Sequence, residues 1–258
     1  MKRTSLYHAY SRVESKICPG LKYSQYYYEE TLGEALRQNA TWLDLGCGHH
    51  VLPMWREKQE AELVRRARLA VGLDYDWPSL LKHRSIKNRV RGNISTLCFK
   101  AEAFDLVTAN MVMEHLDSPD VQYREVFRIL KPGGLFVFHT PNAYGYTTIS
   151  ARMIPEAMKA GLIKVLDGRA SEDVFKTHYR SNTEDQICRL AQATGFEVER
   201  IHYIASSAKF AVILPIAVLE LLWIKLLLTN SFRKLRTNLI VILVKPEHPQ
   251  LAVGELDR

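Results

Sequence analysis

The stretch Thr41-Trp42-Leu43-Asp44-Leu45-Gly46-Cys47-Gly48-His49-His50 constrains this chain more than any other. A short apolar run ends in an acid and a Gly-x-Gly turn, the pattern of a buried strand delivering a tight loop to a ligand. Glycine tolerates positive φ and close backbone approach, so such a loop can point amide groups at a polar ligand. A dinucleotide-binding Gly-x-Gly-x-x-Gly would need glycine at position 51, where the chain has Val51. Asp44 is badly placed for a pyrophosphate and well placed for an ammonium group.

Thirty residues beyond Asp44, Leu69-Ala70-Val71-Gly72-Leu73-Asp74 is a second apolar strand ending in an acid. In a βαβ nucleotide site, an acid there accepts hydrogen bonds from ribose hydroxyls. A third candidate strand, Val90–Ile94, is followed by Ala103–Asn110, then Met111-Val112-Met113-Glu114-His115-Leu116, Leu130-Lys131-Pro132-Gly133-Gly134 and the strand Leu135–His139. In this order the motifs resemble the class I S-adenosylmethionine-dependent methyltransferases, in their small-molecule branch. The likeness is strong over 40–142 and looser over 178–246.

Alternating strands and helices imply a parallel sheet with helices on both faces and ligands beyond the strands' carboxyl ends. Asp44, Asp74, Asn93, Asn110 and His139 all fall at expected strand ends. The resemblance implies an α/β class fold: a Rossmann-like, mostly parallel seven-stranded sheet with a final antiparallel strand. Residues 1–40 read as an N-terminal helical lid, and 41–246 as the methyltransferase domain with insertions at about 141–180 and 205–235. A C-terminal tail covers 247–258. Pro53 opens a helix through 53–68, with Trp55, Leu63, Val64 and Ala67 at helical spacing and Arg56–Glu60 as its solvated face. Thr183 or Asn182 caps a helix ending at Gly195. Phe196–Ile204 and Asn238–Lys245 read as the closing strands.

By the resemblance, Asp44 and the backbone of Gly46, Cys47 and Gly48 hold the methionine part of S-adenosylmethionine. Asp74 takes the ribose, Tyr75 lies beside adenine, and Ile94 and Asn110 complete the cofactor set. Asn93 stands where the family commonly has an aspartate for the adenine amino group; its carbonyl accepts the same bond without charge. His50 replaces a third loop glycine. Methyl transfer mainly demands positioning, and a base only where the acceptor is a hydroxyl or a protonated amine. Glu114, His115 and His139 are the candidate catalytic residues, with His178 a fourth candidate for the base. The plainer possibility is that Glu114 and His115 orient the loop and helix after the fourth strand and that a lone histidine such as His139 is structural. Tyr144, His178 and Tyr179 are candidates for the acceptor pocket. The chain lacks Asp/Asn-Pro-Pro-aromatic after strand four, and Pro-Cys there too, which disfavours nucleic-acid base methylation.

Four scattered cysteines, with no Cys-x-x-Cys, indicate neither a metal site nor a disulfide framework. No apolar stretch follows the basic start, so a signal peptide is not expected and a cytoplasmic setting is the default. The net charge of +7 is read first as solubility charge. The segment Phe210–Leu228 is long enough to raise a membrane span, but Glu220, Lys225 and Pro215 interrupt it, and the flanking strands should pair in one sheet. It reads instead as a buried or dimer-forming helix, or as a peripheral in-plane membrane helix assisted by Arg233, Lys234 and Arg236. The expected function is methylation, at oxygen by family habit, of a small-molecule or lipid-linked acceptor by a monomer or homodimer. The alternatives are a non-catalytic cofactor-binding or membrane-associated scaffold, and third an RNA methyltransferase.

Overall fold

A computed structural model describes residues 2–153, 176–208 and 214–247. The middle of the 141–180 insertion, the first residues of Phe210–Leu228 and nearly all of the 247–258 tail therefore lie outside the described residues. The elements are α1 (Lys2–Ile17), α2 (Ser24–Ala35), β1 (Thr41–Leu45), α3 (Glu57–Arg66), β2 (Leu69–Asp74), α4 (Trp77–Leu81), β3 (Asn88–Arg91) and β4 (Phe104–Asn110). They continue with α5 (Pro119–Ile129), β5 (Leu130–Pro141), α6 (Tyr146–Met153), α7 (Glu184–Thr194), β6 (Glu197–Ile204), α8 (Leu214–Leu227) and β7 (Asn238–Val244).

The chain forms two compact units. One draws on Tyr28–Thr140, His178–His202 and the residues from Ile240 on; the other on the start of the chain to Tyr27, Pro141–Thr177 and Tyr203–Leu239. The seven strands run in the order β3-β2-β1-β4-β5-β7-β6. Strands β1 to β5 pair in parallel. The final strand is antiparallel: Gly133 N–H bonds to Lys245 O and Asn142 N–H to Thr237 O, so β7 descends as β5 ascends. All five residues of β1 are buried, as are the five central residues of β7, as expected for strands covered on both faces.

Local chemistry sets the element ends. Asp76 caps α4 by accepting Ser79 N–H at 3.3 Å. Thr183 caps α7 through Gln186 N–H at 3.2 Å, and Gly195, at φ 88°, stops it. Helix α5 buries Tyr123, Val126 and Ile129, and Tyr123 meets Phe136, Phe138 and Phe196 edge to face.

Three local expectations are corrected. Lys131-Pro132-Gly133-Gly134 does not precede the strand but lies within it, as an irregularity where pairing jumps from Phe104–Leu130 to Leu106–Leu135. Strand β3 ends at Arg91, leaving Asn93 in the turn beyond it. Trp55 sits in a separate 3-10 turn, Met54–Arg56, and is 62% exposed, while Glu60, expected on a solvated face, is fully buried.

Candidate functional site

The site residues of the first unit gather where the parallel strands end. In register, Asp44 of β1 stands beside Thr108 of β4, and Asn110 of β4 beside His139 of β5. Residues two apart on a strand share a face, so Trp42, Asp44, Thr108, Asn110 and His139 all address one side of the sheet. Thr108 Oγ1 donates to Asp44 Oδ1 at 2.5 Å and accepts Trp42 Nε1–H at 2.7 Å. Asp44 is buried, and burial pushes its carboxyl up to about 7; the Thr108 bond opposes this, and the carboxylates of Glu60 and Asp74 add to it. Among the described residues no cation contributes to this shift, so the position is suited to a positively charged ligand group.

The glycine loop is fixed from several sides. Gly46 has φ 62°, and a Cβ there would come within 2.5 Å of a Val112 methyl, so both conformation and space require glycine. The amides of Gly46 and Cys47 bond to Leu73 O at 2.8 and 3.2 Å, and Gly48 N–H bonds to Asp74 Oδ2 at 2.9 Å. The other Asp74 oxygen accepts Asp76 N–H at 2.9 Å. Asp74 thus joins the loop to the end of β2 while remaining at the strand end where a ribose acceptor belongs.

Glu60 anchors the far end of the loop, and the sequence did not reveal it. Its carboxylate accepts Val51 and Leu52 N–H at 3.2 and 2.9 Å, and it also pairs with Arg84 and Ser85. Burial alone would raise its pKa, but the bonds from Arg84, Ser85 and Leu52 hold it below the usual range. Neighbouring charges in Arg56–Glu60 made it look like a surface residue; Arg84, the partner that marks it, is far away in sequence.

His139 is 1% exposed and stacks on Tyr28 of α2, with ring centroids 5.8 Å apart. Its Nδ1 lies 2.9 Å from Asn110 Oδ1, and Asn110 Nδ2 donates to Val51 O at 3.3 Å. With the amide nitrogen so used, Oδ1 takes a proton from Nδ1, and Nε2 carries the lone pair. Nε2 is buried and without a partner among the described residues. Burial holds the ring's pKa down to about 3, so it is neutral at any working pH.

Glu114 is buried, and desolvation lifts its carboxyl to about 7. Thr140 Oγ1 donates to its Oε2 at 3.1 Å, and Asn182 Nδ2 in turn donates to Thr140 Oγ1 at 2.7 Å. His178 and Tyr179 come to the same place through their amides, which bond to Glu114 O at 2.7 and 3.2 Å. His115 is half-exposed, with Nε2 3.9 Å from Glu114 Oε1, and His178 Nδ1 stands 3.4 Å from Asp117. Tyr75 is exposed beside Asp74, and Ile94 is half-buried. Asn93 Oδ1 accepts Ser95 N–H at 2.9 Å, which shapes its turn. Tyr144 belongs to the second unit; it is exposed, and its amide bonds to Asn142 Oδ1.

Comparison with known proteins gives the class. Residues 21–201 match the model of a methyltransferase domain family. A Mycolicibacterium smegmatis protein described as a probable S-adenosylmethionine-dependent methyltransferase is 32% identical over 70% of this chain and 63% of its own length. Ubiquinone biosynthesis O-methyltransferase of Pseudomonas fluorescens is 30% identical over 46% of this chain and 53% of its own. Demethylmenaquinone methyltransferase of Lactiplantibacillus plantarum is 30% identical over 50% and 56%. The chain thus spans between about half and two thirds of these relatives. Among solved structures, an S-adenosylmethionine-dependent methyltransferase of Mesorhizobium loti superposes with a TM-score of 0.54 at 16% identity, over 84% of this chain and 95% of that one. The chain belongs to the methyltransferase domain family, in the class I fold whose cofactor is S-adenosylmethionine.

Proposed function

We propose that this protein transfers the methyl group of S-adenosylmethionine to a hydroxyl of a small-molecule or lipid-linked acceptor. The observation that carries the reading is the buried Asp44, which has no cationic partner among the described residues, one loop away from Asp74. An ammonium and a ribose diol suit these two carboxylates, and the loop between them is held by the amide bonds of Gly46, Cys47 and Gly48. The names of two relatives, a ubiquinone biosynthesis O-methyltransferase and a demethylmenaquinone methyltransferase, support a quinone-type acceptor, and the first of them a transfer to oxygen.

The bound cofactor supplies an electrophilic methyl group on a good leaving group. Asp44 would hold the ammonium end and Asp74 would accept from the ribose hydroxyls, with Asn93, Ile94 and Tyr75 at the adenine end. A hydroxyl acceptor must lose its proton as the new bond forms, and two groups are suited to take it. His139 Nε2 carries a lone pair in a tautomer set by Asn110. Glu114 is a carboxyl poised near neutrality, oriented by Thr140. His115, His178 and Tyr179 cluster about Glu114 and supply the acceptor side.

Incubation with methyl-labelled S-adenosylmethionine and separated lipid, metabolite, glycan and RNA fractions tests the reading. Label should enter the lipid or metabolite fraction and be lost with Asp74→Ala. Label confined to RNA, or cofactor bound without any transfer, would overturn it.

A further inference from the structure

Helix α8 is apolar on both sides. Its inner face, Ala217, Leu221, Ile224 and Leu227, is buried, and the first three pack in one cluster with Tyr10, Cys18 and Ala205. The acid that breaks the run, Glu220, also turns inward, where it accepts Tyr146 Oη–H at 2.7 Å. The opposite face presents Ile216, Leu219, Leu222, Trp223 and Leu226, all exposed, with Leu219 at 68%. At helical spacing these five fall within about 120° of arc, so they make one continuous apolar strip. A monomer in water rarely leaves such a strip bare.

Along the chain from the strip onward the charge has one sign. From Leu221 to Leu239 the chain contains no acid, while Lys225, Arg233, Lys234 and Arg236 are basic. Lys225 is exposed on the helix, and Arg233 and Lys234 are exposed on the 3-10 segment Asn230–Leu235 that follows. Arg236 ties that segment to the helix end, donating to Leu227 O at 2.9 Å, Leu228 O at 2.9 Å and Tyr203 O at 3.0 Å. Apolar strip and basic run are therefore parts of one surface. At 14 residues α8 is about 21 Å long, short of the roughly 30 Å hydrocarbon core, and among the described residues no helix is long and apolar enough to cross a membrane.

We propose that this surface seats on an anionic phospholipid bilayer, with α8 lying in the membrane plane, its strip among the acyl chains and its basic residues at the headgroups. Large side chains supply the apolar term, and Lys225, Arg233 and Lys234 make the binding selective for negative charge. The inference concerns the second unit alone and holds whatever the methyl acceptor is, since docking needs no turnover.

Sedimentation of the full-length protein with vesicles decides it. Vesicles of phosphatidylcholine and phosphatidylglycerol in equal parts should carry the protein down, less so at high salt, and pure phosphatidylcholine should carry little. Replacing Arg233 and Lys234 with glutamine should weaken binding about fivefold for each charge. Leu219→Glu with Leu222→Glu should abolish it without moving the melting temperature, since both side chains are exposed. A protein left in the supernatant with both vesicles overturns the proposal, as does undiminished sedimentation of the double glutamate variant. A dimer that Leu222→Glu dissociates, with no vesicle binding, assigns the strip to a second copy instead. Methyl transfer to a detergent-dispersed acceptor by a wild-type protein that binds neither vesicle would remove this proposal and leave the proposed function standing.

Discussion

Thr108 donates its hydroxyl proton to Asp44 across adjacent parallel strands, while Trp42 donates to the same hydroxyl oxygen. The acid is therefore held by a neutral partner, and burial keeps its carboxyl near 7. An ammonium ligand needs the carboxylate. Cofactor affinity should thus rise as pH climbs through about 7 and level off above it. Thr108→Val removes the bond that lowers the pKa, so the rise should move to higher pH. It also leaves the Trp42 indole N–H unpaired, at about 1–3 kcal/mol of stability. Calorimetric titration between about pH 6 and 9 reads both effects; affinity independent of pH would take Asp44 out of the cofactor site.

The same carboxyl affects folding. Its ordinary value is 3.8 and that of Glu114 is 4.5, while the folded protein holds both near 7. Between these values the folded chain keeps protons that the unfolded chain releases. The stabilisation is complete below about pH 4 and declines as pH rises to about 7. Asp44→Asn should remove its share of that decline, leaving the ligand-free protein more stable than wild type at pH 8 by a few kcal/mol, on the order of 1.4 per pKa unit. Urea unfolding across this range gives the slopes, and parallel slopes for variant and wild type would contradict the assignment.

Glu60 has the opposite tendency, since its partners hold it ionised. Glu60→Ala leaves the half-buried Arg84 without its carboxylate and strips acceptors from Val51 and Leu52, a loss of about 2–4 kcal/mol. Thermal unfolding should show it, with a smaller drop for Glu60→Gln, which retains an acceptor. A melting temperature equal to wild type would mean that the loop is held by other contacts.

Much of this was visible in the residue order. Strand-end acids, the glycine loop and helix punctuation such as Thr183 and Gly195 are local signals, and each lies where the sequence pointed. What escaped notice depends on pairing across strands or over long separations. Thr108 is one apolar-flanked threonine among several until β4 lies beside β1. Glu60 resembles its charged neighbours until Arg84 closes on it. Thr140 and Asn182 become a unit with Glu114 only once α7 packs down. The irregularity at Gly133 shows how a breaker run can sit inside a strand when a neighbouring strand supplies the hydrogen bonds.

The identity of the base turns on two of the side chains that the sequence put forward. A histidine base ordinarily shows its own pKa, near 6.5, in the rate profile. Burial takes His139 down to about 3, so it stays neutral and contributes no such step. Glu114 does titrate near 7, and its carboxylate is the form that accepts a proton. If Glu114 is the base, turnover at saturating cofactor should rise through about pH 7, and Glu114→Gln should flatten the profile and lower the rate on the order of 10²-fold or more. If His139 is the base, the wild-type profile should be flat above about pH 5, and His139→Ala should cause that loss while Glu114→Gln leaves the rate largely intact. Asn110→Ala distinguishes the cases further. It frees the His139 tautomer, so it should slow turnover in the histidine case and have little effect on the chemical step in the other. Saturating cofactor matters here, because Asp44 titrates in the same range and would otherwise imprint its own step on the profile.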